Sequence, residues 1–499
     1  MVTIFTNREE FFNDIADEVR AFLGMEEARL LSVANPERTE GLFLRVILEE
    51  QGDVWAAHAF ARFAPDGGNE QSSEFTYHHP VVTKSDLERK RYEKRAIKIA
   101  AFRALHQLFP EVRLPWGSLT GIRPTKLLRE LEENFGETEA CRVMEQEFDV
   151  SNEKLDLARR ILSVQKPILQ SLAPHQADVY IGIPFCKTRC LYCSFAAETL
   201  GKTDKITPYL AALKQDISMG AAIFAQAGYR IRSLYIGGGT PTVLSAGQLE
   251  ELIRHTLSCY GGYGQEFTVE AGRPDTINRE KLDVLCRMGV GRISINPQSM
   301  RDTTLACIGR SHSAQEIIEA YRLAKEIGFS SINMDIIAGL PGETLDDFRY
   351  TLDAIGALSP NNLTIHTLAI KRSSRLKQRL EEYPLPPAHV VEEMVRLGAT
   401  AAKEMGLVPY YMYRQKYMQG NLENVGYAAP GHVCIYNIDM MEESASIMAH
   451  GAGAMTKCVF PGRDLRVERI PNPKDLATYM AKISALAEQK RALFCSVQP

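Results

Sequence analysis

No run of about eighteen apolar residues occurs anywhere in this 499-residue chain, so no membrane-spanning helix is expected. The first residues, Met1-Val-Thr-Ile-Phe5, lack a basic stretch followed by a long apolar core, and a soluble, cytoplasmic protein is the expectation. Neither an internal repeat nor a low-complexity tract is present. An excess of one charge is missing as well. Against 58 Lys and Arg stand 62 Asp and Glu, and a net charge of −4 argues against a general nucleic-acid binder. Cysteine is scarce, ten residues in all, so a disulfide framework is not expected at this length. The dinucleotide fingerprint G-x-G-x-x-G is absent too. What remains is ordinary: 45% hydrophobic and 24% charged residues, in a chain long enough for two or three domains.

Residues 1–175 read as an N-terminal α+β accessory domain. Strand patterns fall at 2–5, 29–33, 42–48 and 55–62, and helical patterns at 87–108, 124–135, 137–147 and 152–172. Pro174 and the polar His175-Gln176 mark its end. From Asp178 onward strands alternate with helices. The strands are expected at 179–183, 233–236, 267–269, 292–295, 332–337 and 363–368, and Ser245 is the expected N-cap of a helix at 246–258. Six such strands imply a parallel sheet with right-handed crossovers, too few for a closed eight-stranded barrel. The expected fold class is therefore α/β: a partial, open (β/α)6 TIM-type barrel over 176–375, after the α+β domain. Residues 376–499 form a C-terminal extension expected to contribute to the substrate side. In such folds the functional loops gather at the carboxyl ends of the strands.

Directly after the first of these strands stands Cys186-Lys-Thr-Arg-Cys190-Leu-Tyr-Cys193. Three thiolates on one short loop can hold three corners of a [4Fe–4S] cube and leave the fourth iron open to chelate a small molecule. Structural zinc would want four ligands in two close pairs, and no second C-x2-C follows; the nearest later cysteine is Cys259. Gly237-Gly-Gly-Thr-Pro-Thr242 follows the second strand. Glycines there let a backbone approach a ligand and offer N–H groups to an anion, although such loops often only make turns. Glu270 closes the third strand and suits a ribose hydroxyl or an ammonium group, or else a salt-bridged rim. Gln298 follows the fourth strand, Arg310 comes twelve residues later, and Asp335 sits inside an apolar strand, where a carboxylate is costly unless paired. Each admits a structural reading alone. Together they place donors and acceptors around one mouth facing the cysteine loop.

With these motifs the chain resembles the radical S-adenosylmethionine (SAM) superfamily. Tyr180-Ile-Gly-Ile-Pro-Phe-Cys186, Gly237-Gly-Gly-Thr-Pro-Thr242 and Asp335-x3-Gly339-Leu-Pro-Gly342 are similar to the oxygen-independent coproporphyrinogen III oxidases (dehydrogenases). The Trp116-Gly-x-Leu-Thr-Gly-Ile-Arg-Pro124 loop resembles their HemZ branch. The resemblance implies that Cys186, Cys190 and Cys193 ligate a [4Fe–4S] cluster. It also implies that Tyr180, Tyr192, Gly238, Gly239, Thr240, Glu270, Gln298, Arg310, Asp335, Ala369 and Met455 line the SAM pocket. The implied reaction is oxidative decarboxylation of coproporphyrinogen III to protoporphyrinogen IX through a 5′-deoxyadenosyl radical, with flavodoxin or ferredoxin as electron donor. A haem-binding chaperone of similar sequence, or a radical SAM enzyme acting on haem itself, are the alternatives. Two positions depart from the family pattern: a frequent His is Gly182 here, and an extra Cys of some relatives is Phe195.

A tetrapyrrole with four carboxylates calls for cations beside apolar or aromatic walls. Lys371, Arg372 and Arg375 after the sixth strand are one candidate set, and Arg123 with Lys126 another. Arg414 and Lys416, within Tyr410-Tyr-Met-Tyr-Arg-Gln-Lys-Tyr417, form a third, although that stretch equally fits a half-buried edge strand.

Overall fold

The computed structural model describes residues 2–24, 28–31, 41–65, 69–82, 85–121, 123–194, 197–201, 203–416, 418–460 and 466–496; Phe195, Tyr417 and the end of the strand expected at 29–33 lie outside them. The chain forms two compact units, Met1–Arg159 with Arg414–Leu422, and Arg160–Tyr413 with Glu423–Pro499.

The first unit begins with β1 (Val2–Thr6), α1 (Phe12–Leu23), β2 (Ala28–Leu30), β3 (Gly41–Gln51), β4 (Val54–Ala64) and β5 (Gln71–Pro80). They make a five-stranded sheet in the order β2-β1-β3-β4-β5. Then follow α2 (Asp86–Leu108), α3 (Pro124–Phe135), α4 (Glu137–Arg142) and the start of α5 (Asn152–Gln170), whose residues from Arg160 onward belong to the second unit. Leu42, Leu44, Val46 and Leu48 alternate along β3 and are buried, and α2 buries Ile97, Ala100, Ala101, Ala104 and Leu105. Ser85 caps α2 by accepting from the Glu88 N–H. In the returning segment, Arg414 is buried, donates to the Leu119 carbonyl and to Asn421, and lies over the Trp116 ring. Lys416 pairs with Asp17 at 2.6 Å. These two cations, one of the candidate sets for substrate carboxylates, make internal contacts of the first unit. Lys126 likewise pairs with Glu130 on its own helix.

The second unit opens with β6 (Gln176–Ile183), followed by the short paired strands β7 (Phe185–Cys186) and β8 (Glu198–Thr199). Next come α6 (Ile206–Gln226), β9 (Arg230–Gly238), α7 (Ala246–Tyr260), β10 (Glu266–Gly272), α8 (Arg279–Arg287) and β11 (Arg292–Ile295). Then α9 (Asp302–Cys307), α10 (Ala314–Ile327), β12 (Ser331–Ala338), α11 (Leu345–Leu358) and β13 (Asn362–Thr367) complete the alternation. The Ser245 cap is present, and with Gln248 it forms a reciprocal capping box at the start of α7. Strands β6, β9, β10, β11, β12 and β13 lie side by side, all parallel, as expected for six β/α units.

The remaining elements are α12 (Arg375–Gln378), α13 (Ala388–Glu404), β14 (Val408–Tyr413), β15 (Asn424–Ala428), α14 (Ile435–Glu442), β16 (Ser446–His450), β17 (Met455–Val459), β18 (Val467–Pro471), α15 (Leu476–Ala481) and α16 (Ile483–Phe494). Residues 376–499 are not a separate layer. Strands β15 and β14 extend the sheet antiparallel beyond β13, and β16, β17 and β18 extend it beyond β6. The resulting eleven-stranded sheet ends at β14 and β18, so the 410–413 stretch is an edge strand. No helix among the described residues is long and apolar enough to cross a membrane.

Alternation gives the parallel run two unlike faces. Val179, Ile181, Leu234, Ile236, Phe267, Val269, Ile293, Met334, Ile336, Leu363 and Ile365 are buried on one; Ile365 meets Gly398 of α13. The other carries Tyr180, Tyr235, Thr268, Glu270, Ser294, Asn333, Asp335, Thr364 and His366, in lateral register. At its amino end this polar face is closed by buried ion pairs. Arg232 bonds Asp439 of α14 at 2.7 Å and the Ile168 carbonyl at 2.8 Å, both carboxylate and guanidinium being fully buried. Ser233 donates to Asp178 at 2.7 Å; burial and the nearby Asp439 push the Asp178 carboxyl well up. Removing one partner of such a pair strands the other. Arg232→Met should therefore lower stability at neutral pH by about 3–5 kcal/mol, read from the shift in urea midpoint. Without its partner, Asp439 holds its proton more tightly folded than unfolded, so the deficit should shrink as pH falls toward about 4.

Candidate functional site

The cysteine loop is short, and neighbouring loops hold it on two flanks. Arg273, nearly fully buried, forks onto Asp275 through Nε–Oδ1 at 3.0 Å and Nη2–Oδ2 at 3.1 Å. Its other nitrogen donates to the Thr188 carbonyl at 3.1 Å and Oγ1 at 2.7 Å. Thr188 Oγ1 in turn donates to the Gly309 carbonyl, and the Leu191 N–H to the Ile308 carbonyl at 2.9 Å. On the other flank, Arg189 donates to the Ser373 carbonyl at 3.0 Å, and the Leu376 N–H to the Leu191 carbonyl at 2.9 Å.

Within this frame none of the three cysteines is joined in a disulfide. Cys190 is buried, and Cys186 and Cys193 are half-buried. Thr240 reaches Cys186 Sγ at 3.6 Å, and burial raises the Cys186 thiol. Arg310 donates to the Asn296 carbonyl at 2.6 Å and to the Tyr192 hydroxyl at 3.2 Å. Burial works against its charge, but Tyr192 and Cys190 beside it hold the guanidinium firmly protonated.

The glycine loop packs tightly against this assembly. A Cβ at Gly239 would stand 2.5 Å from the Phe185 carbonyl, and one at Gly237 would stand 2.8 Å from the Glu270 carboxyl carbon. Gly238 adopts φ 113°, which favours glycine, and its N–H points at Glu270 Oε2, 3.2 Å away. Tyr235 donates to Glu270 Oε1 at 2.7 Å. Burial, reinforced by the neighbouring Asp335, pushes the Glu270 carboxyl up to about 7. Asp335 behaves oppositely. Burial acts to raise it, but His366, Asn333 and Thr364 more than offset this and hold it below the usual carboxylate range. Asn333 donates to it at 2.7 Å, and His366 Nε2 lies 3.8 Å away.

Gln298 occupies the left-handed region at φ 68° without being glycine. Its N–H bonds the Asp335 carbonyl at 2.9 Å, and its carbonyl accepts from Ile337 at 3.1 Å, which fixes the side chain at the sheet's mouth. Gln298 Oε1 and Asn296 Oδ1 are buried without a partner in the protein, as is Arg310 Nε. Unpartnered polar atoms of this kind are costly unless a ligand satisfies them. Ala369 follows β13 and Met455 begins β17, at the same end of the sheet.

Among the described residues no three His, Cys, Asp or Glu side chains converge on a single-ion position. A cluster presents several irons and takes thiolates spread along a loop. Three thiols in no disulfide, a glycine cradle and orphaned polar atoms beside them thus fit a cluster with a small polar ligand. Sequence reasoning missed several parts of the site. Tyr235 holds Glu270, His366 flanks Asp335, and Tyr436 stacks on Tyr235 at 4.4 Å and on Tyr180 at 6.0 Å. Tyr235 and His366 lie within two of the strands read from the sequence and could have been found there as polar positions; Tyr436 lies on a distant helix and carries no such signal. Of the candidate substrate cations, Lys371 is half-buried, whereas Arg372 and Arg375 are exposed.

Residues 180–355 match the model of the Radical SAM superfamily. The chain is 39% identical over 382 residues to the oxygen-independent coproporphyrinogen-III oxidase-like protein HemZ of Bacillus subtilis (strain 168), covering 75% of this chain and 76% of that protein. It is 30% identical over 301 residues to the heme chaperone HemW of Escherichia coli (strain K12), covering 60% of this chain and 74% of that one. Among solved structures, the radical SAM enzyme coproporphyrinogen III oxidase (HemN) from Escherichia coli superposes with a TM-score of 0.53 at 23% identity, over 66% of this chain and 73% of that one, which shows the shared fold. The cofactors of this superfamily are a [4Fe–4S] cluster and SAM. The chain belongs to the radical SAM superfamily, within the oxygen-independent coproporphyrinogen-III oxidase-like family that includes HemZ.

Proposed function

We propose that this protein is a radical SAM oxidoreductase that converts coproporphyrinogen III to protoporphyrinogen IX. The observation that carries this reading is the cysteine loop locked against Thr240 and Arg310, beside a half-buried Glu270, in a chain that is 39% identical to HemZ. Cys186, Cys190 and Cys193 would hold the cluster. Bound there, the cluster and SAM supply one-electron cleavage and hydrogen-abstracting chemistry, which the protein must orient and shield. Gly238 and Gly239 give close backbone approach. Glu270 and Asp335 offer acceptors to the hydroxyls and ammonium of SAM, and Gln298 and Arg310 supply the remaining polar edge. Tyr180 and Tyr192 close the pocket, as do Thr240, Ala369 and Met455. Lys371 is the half-buried cation suited to a substrate carboxylate, and burial lowers its ammonium pKa. The electron comes from a flavodoxin- or ferredoxin-class carrier.

Anaerobic incubation with SAM, dithionite and coproporphyrinogen III, followed by mass spectrometry, tests the reading. Protoporphyrinogen IX should form; tight haem binding with no turnover would instead make this protein a chaperone, as HemW is named. Cys190→Ala should leave the reconstituted protein without iron, acid-labile sulfide or SAM cleavage. SAM affinity should also depend on pH. Glu270 is neutral below about pH 7, and as it ionises above that value, next to Asp335, it gains attraction for a cationic ligand. Binding should strengthen as pH rises through about 7, and Glu270→Gln should flatten the profile, as read by calorimetric titration.

A further inference from the structure

The face beside the cysteine loop differs in charge from the rest of the protein. Residues 370–379, Ile-Lys-Arg-Ser-Ser-Arg-Leu-Lys-Gln-Arg, hold five cations and no carboxylate, in a chain whose net charge is −4. Residues 186–194 add Lys187 and Arg189, again with no carboxylate. The two segments form one surface. Arg189 donates to the Ser373 carbonyl at 3.0 Å, Ser373 Oγ to the Ser194 carbonyl at 3.3 Å, and the Leu376 N–H to the Leu191 carbonyl at 2.9 Å. Lys187, Arg372, Arg375 and Arg379 are exposed on it. The carboxylates nearby are few. Asp275 is buried under Lys187 at 3.4 Å, Glu382 pairs with Arg379 at 2.5 Å, and Glu198 pairs with Lys205 at 2.7 Å.

We infer that this basic face is the docking surface for a small acidic electron-carrier protein. The inference rests on the cluster reading above. This face is bonded directly to the loop that carries Cys186, Cys190 and Cys193, and an electron bound for a cluster held there must come from a carrier that approaches closely. One electron leaves the carrier and one enters the cluster, so the carrier is oxidised by one and the cluster reduced by one, with no bond made or broken. Exposed, unburied cations suit this role better than substrate binding. They attract an acidic surface over a distance and raise the encounter rate, whereas recognition of a small carboxylate favours desolvated cations such as Lys371.

The experiment uses the reconstituted full chain, with the double variant Arg372→Glu/Arg375→Glu and the conservative Arg372→Lys/Arg375→Lys. Stopped-flow bleaching of the cluster is followed with reduced flavodoxin and, separately, with dithionite, across a range of salt. The charge reversal should slow reduction by flavodoxin at low salt by at least about tenfold and remove its salt dependence. Reduction by dithionite should stay unchanged, and the lysine variant should behave like the parent. Unchanged flavodoxin rates in the reversed variant would overturn the proposal while leaving the cluster reading intact. A parent chain that takes up no iron would sink the cluster reading, and this surface assignment with it.

Discussion

The bidentate pair of Arg273 and Asp275 is the contact on which the arrangement of the site depends. Parallel β/α units deliver their loops to one end of the sheet, but nothing in that topology fixes the loops relative to one another. Arg273 does so by bonding the loop after β10 to Thr188 of the cysteine loop, and its partner Asp275 accepts from Ser311 of the loop after β11. A guanidinium can do this because its donors form a rigid planar fork; an ammonium at the same place would satisfy one partner at a time. The Arg310 side chain comes from the same anchored stretch and reaches Tyr192 between two of the cysteines. The thiols are thus placed by hydrogen bonds to their neighbours rather than by any bond among themselves.

Behind this mouth the sheet inverts the usual distribution of polarity in such folds, whose interior is filled by branched aliphatic side chains. Here the aliphatic residues lie on the face toward α13 and its neighbours, and tyrosines and polar side chains occupy the other. Tyr180, Tyr235 and Tyr436 stack in sequence, and Tyr410 and Tyr411 lie in the same cluster. Tyrosine suits the position because each ring buries apolar area while its hydroxyl remains available, as Tyr235 shows by bonding Glu270. At the amino end, Arg292 reaches Asn362 at 2.7 Å and the carbonyls of His432 and Val433, which ties the polar face to the loop before α14.

Much of this was legible because its signals are local. Period-two runs between helical stretches located all six parallel strands, the Ser245 cap marked a helix start, and the cysteine spacing singled out one loop. What the sequence concealed depends on long-range pairing. Strand β5 is largely polar and is set by its ladder to β4 and its packing on α2, as where Ser73 donates to the Ala104 carbonyl. Strands β14 to β18 join the same sheet from both sides because their partners, β13 and β6, lie far away in the chain. Arg414 looked like a ligand-binding cation because charge is visible in sequence and burial is not; its donors are taken up by Leu119 and Asn421. Tyr436 was invisible for the same reason, since only the fold brings α14 under Tyr235.

The electrostatics of the polar face limit what can enter it. Glu270 and Asp335 influence each other, and the pair divides its protons unequally: His366, Asn333 and Thr364 stabilise the charge on Asp335, while burial and that charge keep Glu270 poised near neutrality. Two carboxylates so placed favour a ligand carrying positive charge and repel one carrying several negative charges. A sulfonium and an ammonium group meet that condition, and a tetracarboxylate does not. A tetrapyrrole of the kind proposed above would have to keep its carboxylates away from Glu270 and Asp335 and present an uncharged edge to them. The same separation of charge would let this end of the sheet take a cation inside while the exposed Lys187, Arg372 and Arg375 carry positive charge outside.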